Sequence, residues 1–490
     1  MQTNPTSQRI RKGSVLAYVL VIMATCLILL MSIILFVVSQ LRYSMQQHDK
    51  EQALQIAESG VHFYKWYLAH QLDGRTANQV QAFWLSGTAL GQLSPYIANY
   101  DNGQYSVTVI PPVSGSTIVN LTAVGHTISN PELTRTIKVR LRRPSWSESA
   151  VVANDFMRFG EGTEVFGKIH SNSGIRFDGL AHNTVSSALN RYNDPDHVGG
   201  DEFGVHTHVN VLPATGVNMT FRAAEAPPAA EPIRADVFEA GRTFPVSTFD
   251  FNGVLGDLSL MKSEAQAGRG KYFDNSNLGR HIILKANGTY DVCRINIVDV
   301  DTHSITNYKR NVGGGTCATC SGLCLSNYPI VDNGVIFVEN DVWVEGNLNL
   351  KKISIVAANL AAGPLRNVYI GKDIRYAHAN CSEVLGIIGQ NNVEIYRESN
   401  DNLHIDAALM AQSGRVGRQN YAGGSALRDT ITVNGAIATN LRYGFAWSIA
   451  GVHVSGYEKR NLYYDNNLLY CPPPYFPTGK NYLIDLWEEQ

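Results

Sequence analysis

The sequence predicts an α+β protein. A long N-terminal helix spans a membrane with its first half and packs its second half on a small antiparallel sheet, and a large β-rich, solenoid-like region follows. Three observations carry this. Residues 14–38 form an uncharged apolar run behind Arg9, Arg11 and Lys12. Residues 40–72 lack proline and keep apolar residues at three- and four-residue spacing, the pattern of one helix face. From Gly334 onward, short Val, Ile and Leu runs alternate with Asn, Asp and Gly at roughly ten-residue intervals, which suits a parallel β-helix better than the alternative, a β-sandwich.

The apolar run is long enough to cross a bilayer as one helix, which takes about 20 residues. The basic residues before it place the N-terminus in the cytoplasm and the bulk of the chain outside, as a single-pass membrane protein. The run is longer than the apolar core of a secretory signal and lacks a small-x-small site behind it. With 490 residues, a formal charge of −2 and only 17% charged residues, the composition argues against nucleic acid or anionic lipid as a general partner.

The helix continues beyond the span. Ala53, Ala57, Val61, Tyr64, Leu68 and Leu72 share one face, and Asp73-Gly74 supplies a C-terminal stop. Strands follow at 105–110, 117–123 and 135–141, punctuated by Asp101-Asn102-Gly103, Pro111-Pro112 and Asn130-Pro131. Thr136, Lys138 and Arg140 alternate with Ile137, Val139 and Leu141, so this meander is half-buried, and the helix is the apolar partner within reach.

These residues carry a family resemblance over roughly the first 145 positions. Lys12-Gly13-Ser14 ahead of an apolar helix is similar to the prepilin peptidase site of type IV pilins and pseudopilins. The segment Ala53-x-x-x-Ala57-Glu58-Ser59-Gly60 resembles one that lies just beyond the membrane in PilX-type minor pilins. Gly103 to Val107 and Thr134 to Val139 look like parts of that family's sheet. The resemblance implies a pilin-like helix, a leader cut between Gly13 and Ser14 by a prepilin peptidase, and other pilin or pseudopilin subunits as partners. Major pilins carry a Glu at the fifth position after the cut, where this chain has Tyr18. An unpaired charge in a filament core is costly, so a subunit with no neighbour ahead needs no such carboxylate. The resemblance therefore points to a tip or initiating subunit, like the K-type minor pseudopilins.

Residues 1–13 then form a basic leader, 14–38 the transmembrane helix and 39–145 the helix-plus-sheet domain. Residues 146–182 read as a linker and first β-rungs, 183–333 as an irregular insertion with a Cys-rich loop, and 334–490 as the β-solenoid-like region with an aromatic, Pro-rich C-terminal cap that includes Trp487. The stretch Gly167 to Gly174, with His170-Ser171-Asn172, is similar to segments that follow the pilin-like part of some PilX-like proteins. Short helices are expected at 236–240 and 258–267.

Seven cysteines are present. Cys26 lies in the span, and Cys293, Cys317, Cys320, Cys324, Cys381 and Cys471 are disulfide candidates whose pairing the sequence leaves open. Cys317, Cys320 and Cys324 have zinc and redox alternatives, although an oxidising compartment favours disulfide stapling of a glycine-rich loop. His197, His206 and His208 sit among Asp194, Asp196, Asp201 and Glu202. Their spacing is loose for a transition metal, which leaves a solvated loop as the expectation and calcium on the oxygen-rich Asn193 to Asp196 stretch as the alternative. Glu339, Asp341, Trp343 and Glu345 would share one face of an extended run, as a sugar-cleaving site requires. No Gly-x-Ser-x-Gly, Walker or His-Glu-x-x-His motif occurs.

The expectation is a structural protein, with no catalytic residues, metal or cofactor assigned. It would be a pilus- or secretion-filament subunit displaying a β-rich head for adhesion or assembly, with Tyr396, Tyr421, Tyr443 and Trp447 as candidate contacts to a surface or carbohydrate ligand. The alternatives are a single-pass β-helix adhesin outside any filament and a polysaccharide-acting β-helix enzyme.

Overall fold

The computed structural model describes residues 14–209, 221–276, 278–298, 308–310, 324–449 and 452–490. Helix α1 (Ser14–Leu72) is continuous for 59 residues, about 88 Å at 1.5 Å per residue. Its first half is apolar and exposed: Leu27 is 63% and Ile28 65% accessible. Among the described residues this is the one helix long and apolar enough to cross a membrane. From Ala53 onward one face is buried, through Ala57, Val61, Tyr64 and Leu68. The helix stops at Gly74, whose φ of +66° is the left-handed conformation that ends helices at least cost. Helix α2 (Ala77–Leu85) follows at once, its first turn held by a capping box between Thr76 and Gln79.

The buried face of α1 lies on an antiparallel sheet of β1 (Tyr96–Tyr100), β2 (Gly103–Ile110), β3 (Val119–Thr127) and β4 (Arg135–Arg142). The sequence predicts three of these strands. The structure adds β1 on one edge and the C-terminal strand Leu483–Glu489, paired antiparallel with β4, on the other. The edges are the less buried strands: β1 turns Tyr96 and Ala98 toward the core and leaves Ile97, Asn99 and Tyr100 exposed, and Trp487, expected in a cap over the β-rich region, is a half-exposed partner of Val139.

The expected linker at 146 is packed structure. A 3₁₀ turn, Trp146–Glu148, is closed by a Ser145/Glu148 capping box, and Trp146 is buried against Phe249 and Phe251, with ring centroids 5.3 and 4.7 Å away. Beyond it the chain builds a ladder of parallel strands. In spatial order these are Gly270–Phe273, Gly334–Val338, Lys352–Ala357, Val384–Gly389, Asn402–Ala411, Leu427–Thr439, Val151–Ala153, Ile169–Ser171, Val185–Ser187 and Arg242–Thr243. Strands within 183–333, expected to be irregular, thus sit at both ends of the ladder. A second parallel ladder joins Gly279–Leu284, Asp341–Leu348, Val368–Tyr376, Val393–Ile395 and Val416–Gly417. A third joins Met157–Phe159, Ile175–Phe177 and Val205–His206.

Register aligns like residues into columns. Ile336, Ile355, Ile387, Leu409, Ile437, Val151, Ile169 and Val185 follow one another across the first ladder, each almost fully buried. The neighbouring column, Phe337, Val356, Ile388, Met410, Ala438 and Val152, faces the other way. It is covered by Val254, Leu258, Met261 and Ala265 of helix α3 (Val254–Gln266) and by Leu468, Tyr475 and Phe476. Both faces are therefore buried, which is why these strands read as unbroken apolar runs. Residues 236–240, expected to be helical, form turns around a bridge from Phe238 to Ala181.

Candidate functional site

The segment Ala53 to Gly60 owes its small residues to contact with the sheet. A Cβ on Gly125 of β3 would overlap the Ala53 carbonyl oxygen and lie 2.5 Å from the Ala57 nitrogen, and one on Gly60 would lie 3.0 Å from the Tyr105 ring. Ala53 and Ala57 are fully buried. The small side chains let α1 approach β2 and β3 almost backbone to backbone. Gly13 lies outside the described residues, Ser14 opens α1, and Tyr18 is exposed on its apolar half.

His170-Ser171-Asn172 builds the bend between stacked strands. Ser171 Oγ donates to Asp155 O at 2.7 Å, and His170 lies 3.1 Å from both Ser186 Oγ and Asn172 Oδ1. Asn172 Nδ2 donates to Asn154 Oδ1 and to Phe249 O, each at 2.7 Å, and Asn154 Nδ2 donates to Asn440 Oδ1 at 2.9 Å. This segment is therefore a bend device with its polar atoms occupied.

Cys381 is bonded to Cys471, with Cα atoms 5.8 Å apart, tying the C-terminal segment to the ladder. Cys293 is also disulfide-bonded, and its strand position lies opposite that of Cys324. Cys317 and Cys320 lie outside the described residues, and Cys26 is a free thiol on α1.

The expected acidic face is divided. Glu339 sits in the bend after Gly334–Val338, where it is paired with Lys262 and accepts from Tyr272 Oη at 2.8 Å. Burial alone would raise its carboxyl, but Lys262 and Tyr272 hold it below the usual range. Asp341 accepts from the Asn367 N–H at 2.9 Å, and burial pushes it up to about 6. Glu345 pairs with His281 at 2.9 Å. Trp343 is buried and stacks on Tyr369, with centroids 5.0 Å apart. The proposed contact aromatics are largely packing residues. Tyr396 and Tyr421 are buried, Tyr421 donating to Glu394 Oε1 at 2.6 Å, and the half-buried Trp447 donates to Arg418 O at 2.7 Å.

The structure concentrates titratable groups where the sequence suggested a solvated loop. A short antiparallel hairpin, Arg191–Tyr192 with Glu202–Phe203, brings Asp194 and His197 of its loop beside Glu202. The next strand is Val205–His206, and the imidazoles of His206 and His208, two residues on, lie beside each other with ring centroids 5.1 Å apart. Glu202 Oε2 stands 2.9 Å from His197 Nε2 and 3.1 Å from His206 Nε2, and Glu202 Oε1 stands 2.9 Å from His208 Nε2. Asp194 Oδ2 lies 3.5 Å from His197 Nε2 and 3.6 Å from His206 Nε2. These five side chains are 0–1% accessible, and one ligand atom from each lies within 4.8 Å of all the others.

Burial alone would raise both carboxyls. Nearby His206, with the Asp196 N–H, takes Asp194 down to about 2, and His208, His206 and the Arg222 N–H hold Glu202 below its usual range. Burial, and then these two carboxylates, push the Tyr192 phenol well up. Asp196 stands apart, bonded to Arg442 at 3.0 and 3.1 Å, so the oxygen-rich stretch proposed for calcium does not converge. The alternation His206-x-His208 was the sequence signal for this cluster. Its meaning depended on the hairpin that returns Asp194 and His197 to it.

No protein-family model matches the chain, and no curated protein does. Among solved structures, it is similar to the competence-associated pilin ComZ from Thermus thermophilus, at 12% identity over 90% of this chain and 98% of that one, with a TM-score of 0.29.

Proposed function

We propose that this chain is a PilX-type minor subunit of a type IV pilus or type II secretion-like filament, with a structural role. Its inner-membrane precursor has the N-terminus in the cytoplasm, and its β-solenoid head stands outside for adhesion or assembly. Helix α1 carries this reading: one rigid rod joins an exposed apolar half to a half fastened on a sheet. The apolar half holds the precursor in the membrane and can later pack against the same half of neighbouring subunits, exchanging lipid for protein contacts. Tyr18, with no carboxylate to pair with an amine ahead, suits the end of a filament.

The head is read as non-catalytic. Glu339, Asp341 and Glu345 each serve a different structural partner, unlike the facing pair that glycoside hydrolysis uses. Immunogold labelling of sheared filaments with antibodies to the head tests the assignment. Gold at filament ends is expected. Even spacing along the shafts contradicts the end position, and label confined to the cell envelope contradicts filament membership.

A further inference from the structure

We infer that Asp194, His197, Glu202, His206 and His208 form a binding site for one divalent transition-metal ion of the zinc type. Three imidazole Nε2 atoms and two carboxylates converge in a fully buried space. Ligand atoms around an ion with bonds of about 2.0–2.2 Å stand roughly 3–4 Å apart, and the observed separations of 2.9, 3.1, 3.5 and 3.6 Å match this.

Two polar atoms aim into the space without a hydrogen bond, although ion-pair neighbours stand 3.1–3.8 Å from them. Asp194 Oδ2 and His206 Nε2 have no hydrogen-bond partner among the described residues, although such groups are nearly always satisfied when buried. One ion placed among them satisfies both. His206 also has the backbone partner that a metal-bound imidazole needs. Its Nδ1 lies 3.3 Å from the Phe203 carbonyl oxygen, which can accept the Nδ1 proton when Nε2 is given to a metal.

Charge points the same way. Asp178, Asp194 and Glu202 bring three buried carboxylates to this region beside the guanidinium of Arg176, whose Nε donates to Asp178 Oδ2 at 2.7 Å. Asp178 Oδ1 in turn accepts from the His208 N–H at 2.8 Å, positioning that ligand's backbone. A divalent cation offsets the excess negative charge. The donor set selects the ion: imidazole nitrogens suit zinc and its neighbours, whereas calcium takes six to eight oxygens. With five donors that are 0–1% accessible among the described residues, the role is structural, clamping the hairpin loop onto the strand Val205–His206.

The test uses the full chain in detergent, stripped with dipicolinate and reloaded with ZnCl₂, MnCl₂ or CaCl₂. The expected result is uptake of one Zn²⁺ per chain, not displaced by Ca²⁺. X-ray absorption should show a first shell of nitrogen and oxygen at about 2.0–2.2 Å with imidazole scattering and no sulfur. His206→Gln combined with His208→Gln should weaken Zn²⁺ binding by on the order of 100-fold or more. A chain that takes up neither Zn²⁺ nor Mn²⁺ overturns the proposal. So does a sulfur shell, which would put the ion on cysteines, or full affinity in the double variant. The absorption spectrum of the unmutated chain decides the matter even if the variant fails to fold.

Discussion

Ile437 lies in parallel register with Val151, and this pairing closes a seam between strands 286 positions apart in the chain. The chain enters its ladder in the middle, builds outward to Arg242–Thr243, crosses back through residues 244–253 and α3, and fills the other half until it meets its own start. Asn440 and Asn154 carry a side-chain ladder across the same seam. Ile437→Ala should therefore cost about 2–5 kcal/mol, as for a core isoleucine. Urea unfolding of the full chain in detergent measures this, and a loss under about 0.5 kcal/mol, typical of surface sites, would place the seam outside the core.

The fit of α1 on its sheet depends on Gly125. Gly125→Val puts side-chain atoms into the backbone of Ala53 and Ala57, so the helix must lift. A destabilisation of at least about 1–3 kcal/mol is expected, with faster protease cleavage between α1 and α2. Unchanged proteolysis would show that α1 does not rest on the Gly125 backbone in solution.

The span of α1, its stop at Gly74 and the three inner strands of the small sheet were legible because each follows from local periodicity or a turn residue. The short runs past Gly334 likewise announced buried strands. What the sequence hid was long-range. Nothing local marks Leu483–Glu489 as a partner of β4, or Val151 as the neighbour of Ile437. His197, His206 and His208 looked loosely spaced because their convergence needs a hairpin whose strands are two residues each. Tyr396 and Tyr421 resembled display residues and Trp343 the aromatic of a sugar site, yet all three pack along the ladders, since an aromatic ring reads the same in either role.

The disulfide between Cys381 and Cys471 closes a loop with a sequence separation of 90. Replacing both by serine releases that constraint on the unfolded chain and should cost about 2–4 kcal/mol. The loss should appear as a lower thermal midpoint that no longer responds to dithiothreitol at this bond, and an unshifted midpoint would contradict it.

Glu264 joins three parts of the molecule. It is paired with Arg269, accepts from Tyr475 Oη at 2.7 Å and is 3.3 Å from Ser114 Oγ in the loop between β2 and β3. Burial would raise its carboxyl, but Arg269 and Tyr475 hold it below the unfolded value of 4.5. The stabilisation is therefore present above that value and is lost as pH falls through the lower, folded value. Glu264→Gln should cost about 1.5–3 kcal/mol at neutral pH and make the acid limb of the stability profile shallower. An acid limb identical to that of the unmutated chain would remove Glu264 from this role.

On the proposed function, α1 enters a filament after its leader is removed. Mass spectrometry of the N-terminal peptide, from chain isolated out of its native envelope, tests this most directly. The expected peptide begins at Ser14, cut after Gly13. A peptide that begins at Met1 and runs intact through Gly13 would contradict it and leave a simple membrane-anchored head.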